Sequence, residues 1–256
     1  MRKIVAIGRG GVGKTCFIAC MARALMDQGP LLLIDADPDQ SLAEMVGLDM
    51  EKEGIQTVSD LLFEIRSGRV EEKLSASSLA EKVDYLLSQR GFYEGARFDF
   101  FSLGTKWTEG CYCQPNNILK GLIARLEGNY RYVLIDSPAG LEHLNRRITS
   151  AVDDIFALIG PSKKACDSAR RAKRVIEEIN IGYRNFYLVA GYDFPADYPK
   201  ALEGERSSTY AGRLARDADV AGLCLEGQSL LTLRDDSPFL SSVRAIIRTA
   251  GYRTGD

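Results

Sequence analysis

The sequence lacks the features that are typical of membrane proteins, secreted proteins and proteins that coat nucleic acids. Its 256 residues contain no apolar run that approaches the roughly 18 residues a membrane-spanning helix needs. The formal net charge of -2 leaves no general excess of basic residues for coating nucleic acid. The short apolar run near the N-terminus leads straight into a glycine-rich loop, which is not the pattern of a signal peptide. We therefore expect a cytoplasmic protein that binds neither membrane nor nucleic acid.

Histidine and cysteine are also scarce. With His143 as the single histidine, a metal site built from several histidines is excluded. In a cytoplasmic chain the six cysteines are better interpreted as thiols or metal ligands than as disulfides. We expect Cys16 and Cys20 to be small core residues of a buried helix, and Cys166 and Cys224 to be isolated structural residues.

Repeats, low-complexity runs and linkers are absent too, so we expect one domain over residues 1–256. Short apolar strands alternate with helical segments, which is typical of a parallel sheet covered by helices on both faces. The pattern predicts an α/β fold with a single doubly wound, mostly parallel sheet. The predicted strands are Lys3–Ile7, Leu31–Ile34, Phe98–Leu103, Tyr132–Ile135, Ile155–Ile159, Phe186–Ala190 and a short one near Ala211–Leu214.

The most specific motif is a glycine-rich loop between the first predicted strand and the first predicted helix. Glycines let successive N–H groups turn inward at a helix N-terminus, where they surround an anion. In such a loop Lys14 would contact the β- and γ-phosphates of a nucleotide, and Thr15 would bind Mg²⁺. The loop matches the phosphate-loop pattern G-x-x-x-x-G-K-[ST] without a mismatch. The predicted nucleotide-binding residues are Gly8, Gly10, Gly11, Val12, Gly13, Lys14, Thr15 and Cys16.

Acidic residues follow two of the predicted strands. Asp35 and Asp37 come at the end of the second strand, and Asp136 ends a later one. Ligands of open parallel sheets bind at the carboxyl ends of the strands. Asp136 is placed to hold Mg²⁺ through water, and Asp37 to position or activate an attacking water. The alternative is that such acids only cap helices, and Asp39 is the candidate for that role.

Cys111 and Cys113 form a Cys-x-Cys pair in a predicted loop at about residues 104–117. In an extended segment residues i and i+2 point to the same side, so both thiolates can face one metal ion. Thiolates favour Zn²⁺, Ni²⁺, Cu(I) or iron–sulfur clusters. A symmetric dimer in which each chain gives both sulfurs would complete a four-coordinate site. Taken alone the pair is a weak signal, and a chance pair of loop cysteines explains it better.

Three segments together resemble the MinD/NifH class of P-loop ATPases: the glycine-rich loop, Asp35–Pro38 and Asp136–Gly140. The resemblance implies ATP hydrolysis to ADP in a nucleotide-dependent homodimer. In that class a lysine early in the loop reaches across the dimer to the partner's nucleotide. Arg9 stands at its position, with the same charge but a different reach and donor geometry. At Gly191-Tyr192 the class usually has an asparagine that reads adenine, so ATP is the expectation and base selection is open.

The cysteine pair also belongs to a longer pattern. Gly110–Cys113 and the asparagines after it resemble the metal loop of CooC-type nickel-insertion ATPases, and Asp136–Leu144, Leu225–Leu230 and Asp236–Pro238 fit the same family. The resemblance implies one Ni²⁺ or Zn²⁺ shared between the Cys111/Cys113 pairs of two chains, and a client nickel metalloenzyme of the carbon monoxide dehydrogenase type. Three alternatives stay open: a MinD- or ParA-like positioning ATPase, an iron–sulfur carrier ATPase and, because of Arg9, a binding module without turnover.

Overall fold

The computed structural model describes residues 1–69, 77–104, 121, 123–138, 151–195 and 208–254. Within them the strands are β1 (Arg2–Gly8), β2 (Leu31–Asp35), β3 (Tyr93–Glu94), β4 (Asp99–Ser102), β5 (Tyr132–Asp136), β6 (Ala151–Ile159), β7 (Gly182–Ala190) and β8 (Thr209–Arg213). They form one eight-stranded sheet in the order β3-β4-β2-β5-β1-β6-β7-β8. Every neighbouring pair is parallel except β3–β4. The predicted doubly wound, mostly parallel sheet is confirmed.

The helices begin where the sequence supplies a cap. Thr57 and Ser78 each accept from a backbone N–H three residues on, and each forms a capping box with the acid at that position. Ser237 caps the last helix, which has proline at its first position. The helices are α1 (Lys14–Leu25), α2 (Ser41–Met45), α3 (Val58–Arg66), α4 (Leu79–Leu86), α5 (Lys163–Glu178), α6 (Ala218–Leu225) and α7 (Pro238–Thr249).

Apolar layers lie on both faces of the sheet. Along β1, Ile4 and Ala6 join the layer beneath α1 and α7, whereas Val5 and Ile7 join the layer beneath α3, α4 and α5. This alternation follows from the two-residue period of a strand. Because α1 packs against the sheet, α2 and α7, it is buried over most of its surface, as its nearly uniform apolar character predicts. Of the helices in the described ranges, none is both long and apolar enough to cross a bilayer.

Some elements are longer or shorter than the apolar pattern predicts. The strand predicted to start at Ile155 starts at Ala151, because the charged Asp154 is buried within it. Its carboxylate accepts hydrogen bonds from Arg2 at 2.8 Å, from Asn185 at 2.7 Å and from Tyr252. The short elements α6 and β3 have no clear apolar period and were not predicted.

Candidate nucleotide-binding site

The glycine-rich loop joins β1 directly to α1. Gly8, Gly11 and Gly13 have φ values of 148°, 76° and 90°, a region that favours glycine. A Cβ on Gly8 would also lie 2.4 Å from the carbonyl oxygen of Leu158 on β6. Gly13 precedes α1 without any side-chain cap, and the first turn of that helix carries no acid. The positive end of α1 is therefore open to an anion.

The two functional side chains of the loop are held close to the sheet. Lys14 is 6% exposed, and its Nζ lies 3.5 Å from the carbonyl oxygen of Arg9. Thr15 donates its hydroxyl to Oδ2 of Asp136 at 2.7 Å. The other carboxylate oxygen of Asp136, Oδ1, is buried and has no hydrogen-bond partner among the residues that the structure describes. A hydroxyl beside a carboxylate with an unpartnered oxygen is a donor set that suits Mg²⁺.

Asp35 lies beside Asp136, since the two residues are partners in the register of β2 and β5. Both carboxyl groups are fully buried. Burial, together with the charge of Asp136, raises the pKa of Asp35 to about 8. Burial likewise raises the pKa of Asp136 to about 7, against the opposing effects of Thr15 and Lys14. Near neutral pH the pair of carboxyl groups is therefore partly protonated, and a bound cation would favour its ionised form.

This arrangement predicts how stability depends on pH. Each of these carboxyl groups has a higher pKa in the folded chain than in the unfolded chain. At pH values between those two pKa values, the folded chain therefore binds more protons than the unfolded chain. The free energy of unfolding should then fall as the pH rises from about 5 to about 8, by on the order of 1 kcal/mol per pH unit for each group. Denaturant unfolding across this range measures it.

Mg-ADP is the control for that measurement. A bound cation favours the ionised carboxylates, so saturating Mg-ADP should flatten the fall. A nucleotide-free chain whose stability rises over the same pH range would contradict the raised pKa values.

The loop after β2 depends on Asp35 more than the sequence suggests. Its carboxylate accepts from the N–H groups of Asp37 and Leu42, each at 3.0 Å. Asp37 is half-buried at the edge of the sheet, and its Oδ1 accepts from the N–H of Asp39 at 3.1 Å. The prediction that Asp39 caps the next helix is wrong, because Gln40 precedes α2 and supplies no side-chain cap. The signal for Asp35 was its position at the very end of a buried strand.

A cavity of about 660 Å³ opens beside the loop, between Lys14, Thr15 and the start of α6. Tyr192, at the position where an asparagine was expected, forms one wall and donates its hydroxyl to the carbonyl oxygen of Gly11 at 3.2 Å. The guanidinium of Arg216 lies 5.8 Å from the centre of the Tyr192 ring and pairs with Asp193. The size is that of a small-molecule site. Tyr192 and Arg216 thus offer a stacking surface, and Arg216 carries no motif by which the sequence could indicate this role.

The cysteines divide into three groups. Cys20 is fully buried, which confirms its predicted core position, and Cys166 packs beside a small apolar cluster. The Sγ of Cys16 lies 3.8 Å from the Sγ of Cys224, so the prediction that Cys224 is isolated is wrong. Cys16 is only partly buried and lines the cavity, so its predicted core position is wrong as well. Cys111, Cys113 and His143 lie outside the described residues. Across the described ranges, no three His, Cys, Asp or Glu side chains are grouped to hold a metal ion.

Comparison with known proteins agrees with this geometry. A family model described as an AAA domain, AAA_31, matches residues 2–185. An uncharacterized ATP-binding protein of Methanocaldococcus jannaschii is 32% identical over 250 residues, which cover 95% of this chain and 96% of the relative. The carbon monoxide dehydrogenase accessory protein CooC of Rhodospirillum rubrum is 31% identical over 186 residues, 70% of this chain and 71% of the relative.

Two solved structures share the fold. One is a putative plasmid partition protein from Borrelia burgdorferi B31 bound to AMPPNP, with a TM-score of 0.70, 17% identity and 98% of each chain covered. The other is the septum site-determining protein MinD from Pyrococcus horikoshii complexed with Mg-ADP, with a TM-score of 0.68, 19% identity, and 97% of this chain and 95% of that chain covered. The chain belongs to the AAA_31 family of P-loop ATPases, in the MinD/ParA class, and is an ATPase.

Proposed function

We propose that this ATPase is a nucleotide-switched maturation factor that delivers nickel to a carbon monoxide dehydrogenase-type metalloenzyme. The observation that carries the proposal is the Cys111/Cys113 pair in a chain 31% identical to CooC over 70% of its length. Nickel is then the cargo of the reaction, held by soft thiolate ligands. Proteins with other functions share the ATPase fold. The cysteine pair is therefore the feature that favours this function over the others.

The proposal needs the nucleotide site and the cysteine segment to be coupled, and β4 supports this. Ser102, at the end of β4, is the register partner of Asp35, which in turn is the partner of Asp136. The N–H of Leu103 donates to the carbonyl oxygen of Asp35 at 2.8 Å. Cys111 follows Ser102 by nine residues, a stretch of chain that reaches at most about 30 Å when fully extended. The cysteine segment therefore starts at the edge of the sheet that carries the phosphate-site carboxylates.

The turn into that segment is fixed by Gly104. Its φ is 73°, and a Cβ there would lie 2.2 Å from the hydroxyl oxygen of Thr57, the cap of α3. Ser59 of the same helix donates to the carbonyl oxygen of Leu103 at 2.7 Å. A shift of the Asp35–Asp136 pair on nucleotide exchange would be passed through Leu103 to this turn, which is the kind of two-state coupling that the function requires.

The residues of the site take the following roles in this proposal. The loop amides and Lys14 hold the phosphates of ATP, and Thr15 with Asp136 would hold Mg²⁺. When bound, the cation neutralises charge on the phosphates. Asp37 aims the attacking water. Arg9, which is exposed at the rim of the loop, acts across the interface of a homodimer on the partner's nucleotide.

The test is metal stoichiometry by equilibrium dialysis with Ni²⁺ and with Zn²⁺, run beside gel filtration. We expect about one metal ion per two chains, in keeping with a tetrahedral thiolate site on a twofold axis. A Cys111→Ser/Cys113→Ser variant should lose the metal and keep nucleotide binding, whereas Cys166→Ser is the matched control and should keep both.

Metal binding that is unchanged in the double serine variant would sink the nickel assignment and leave a dimeric ATPase of unknown target. A brown chromophore after anaerobic purification would instead favour the iron–sulfur carrier.

A second candidate is a positioning ATPase of the MinD or ParA kind, favoured by the similarity to the partition protein over 98% of the chain. Such proteins use a surface that finds membrane or DNA. The apolar side of α7 does not offer one, because Val243, Ile246 and Ile247 are at most 1% exposed and pack in the core. Co-sedimentation with anionic liposomes or DNA in the presence of ATP would support this candidate.

A further inference from the structure

Three sulfur atoms meet at the wall of the nucleotide cavity. Cys16 is in the first turn of α1, directly after Thr15. Its Sγ lies 3.8 Å from Sγ of Cys224, near the end of α6, and 3.8 Å from Sδ of Met45, the last residue of α2. All three line the cavity together with Lys14 and Thr15. Both cysteines are partly exposed, so reagents in the cavity can reach them.

The two thiols are close enough to be joined. A disulfide has a sulfur–sulfur distance of about 2 Å, so closing the bond takes a movement of about 2 Å, which side-chain rotation and a small shift of α6 can supply. Cys20 lies one helical turn further along α1 and is fully buried, so it is not part of this pair. In an intracellular protein, a pair of this kind is a site of transient oxidation more often than a permanent crosslink.

The two thiols differ in access. Cys224 stands near the end of α6 and is less buried than Cys16, which is in the first turn of α1. Hydrogen bonding to Cys16 also lowers the pKa of Cys224 to about 7, which favours the nucleophilic thiolate. Burial raises the pKa of Cys20 to about 12 and keeps it unreactive. The more accessible Cys224 is therefore the attacking thiol and Cys16 the resolving one.

We propose that Cys16 and Cys224 form a modification site for small-molecule disulfides, which convert the pair to an internal disulfide that closes the nucleotide cavity. The Cys224 thiolate attacks one sulfur of the reagent RSSR, forming a mixed disulfide and releasing RS⁻. Cys16 then attacks the Cys224 sulfur, and the second RS⁻ leaves while Cys16 gives up its proton. In total the protein loses two electrons, and RSSR is reduced to two thiols.

The closed form should bind ATP weakly. The new bond would tie the end of α6 to the first turn of α1 and draw the two walls of the cavity together beside Lys14 and Thr15. A nucleotide in the cavity and a disulfide across it are then mutually exclusive, so the two events oppose each other by linkage. This inference uses the ATP site alone and is independent of Cys111, Cys113 and nickel.

The experiment uses the full chain in a Cys111→Ser/Cys113→Ser background, incubated with oxidised glutathione. We expect a product lighter by two hydrogen atoms, with Cys16 and Cys224 joined in one proteolytic fragment. Its affinity for a fluorescent ATP analogue should fall by at least about tenfold, as tying the cavity shut requires, and dithiothreitol should restore it. Mg-ATP added beforehand should slow the oxidation.

Matched variants separate the pair from general thiol chemistry. Oxidised glutathione should leave the ATP affinity of Cys224→Ser at that variant's own untreated value, whereas Cys20→Ala should lose affinity as the background does. A glutathione adduct that never proceeds to the internal bond would overturn the proposed site. An internal disulfide that leaves ATP affinity unchanged would overturn the closure of the cavity. Ni²⁺ binding by the chain with Cys111 and Cys113 intact is measured separately, so the two proposals fail by different readouts.

Discussion

Lys14→Ala should lower the turnover number of the ATPase by a factor on the order of 10²–10³, the usual effect of removing one preorganised electrostatic contact to a developing charge. Lys14 is 6% exposed and belongs to the anion-binding loop at the start of α1. The first turn of that helix carries no acid. Loss of Lys14 leaves the backbone amides to bind the phosphates without a compensating charge. Release of inorganic phosphate under saturating Mg-ATP measures the effect.

Lys52→Ala is the matched control for this change, because Lys52 is exposed and does not line the cavity beside the phosphate loop. It should keep full turnover. Lys14→Ala should also keep the metal stoichiometry of the resting protein, since the thiolates and not the phosphate loop hold the cargo in our proposal. Normal ATP hydrolysis by Lys14→Ala would mean that the nucleotide binds elsewhere or in another way.

The parts of this structure that could be predicted from sequence are those determined by neighbours along the chain. The phosphate loop, β1 and α1 follow from one continuous segment in which strand, glycines and apolar helix stand in order. The last helix, Pro238–Thr249, begins at signals that stand directly beside it in the sequence, because Ser237 caps it and Pro238 is its first residue. Continuous apolar runs likewise located the central strands, since a strand buried on both faces needs no polar side.

Contacts between distant segments could not be predicted in this way. Cys16 and Cys224 are separated by 208 positions, and only the packing of α6 near α1 brings their sulfurs together. The same holds for Asp154. In the sequence it resembles the polar end of a strand, but in the structure it is buried within the strand. Its carboxylate accepts hydrogen bonds from Arg2, Asn185 and Tyr252, which are remote in the chain. A polar residue buried with distant partners breaks the apolar pattern without breaking the strand.

The carboxylate pair lies between these two cases. The sequence showed that Asp35 and Asp136 each end a strand, and the rule for parallel sheets put both at one edge. Only the strand order, with β2 next to β5, makes them register partners. Their mutual effect on pKa and the role of Asp35 in holding the loop to Leu42 depend on that adjacency, so neither could be read from the spacing of the residues.

Asp136→Asn should change activity and stability in opposite directions. Asparagine keeps the size and an acceptor for the Thr15 hydroxyl but removes the negative charge, so turnover should fall by about 10- to 100-fold, as for other groups that support a bound cation. The carboxyl has a pKa raised to about 7 by burial, and it therefore loses stabilising free energy as the pH rises through that value. The variant lacks this loss, so near pH 8 it should be more stable than the native chain by on the order of a few kcal/mol, with little difference near pH 4.

Asp39→Asn, at an exposed position of the neighbouring loop, should change neither property. Phosphate release and denaturant unfolding at the two pH values measure both effects. If Asp136→Asn were instead less stable than the native chain near pH 8, its hydrogen bond with Thr15 would outweigh the cost of the buried charge. The carboxylate would then be as much a structural clamp on the phosphate loop as a support for Mg²⁺. Higher stability together with lower turnover is the expected result if the buried charge of Asp136 destabilises the fold but is needed to hold the cation of the nucleotide.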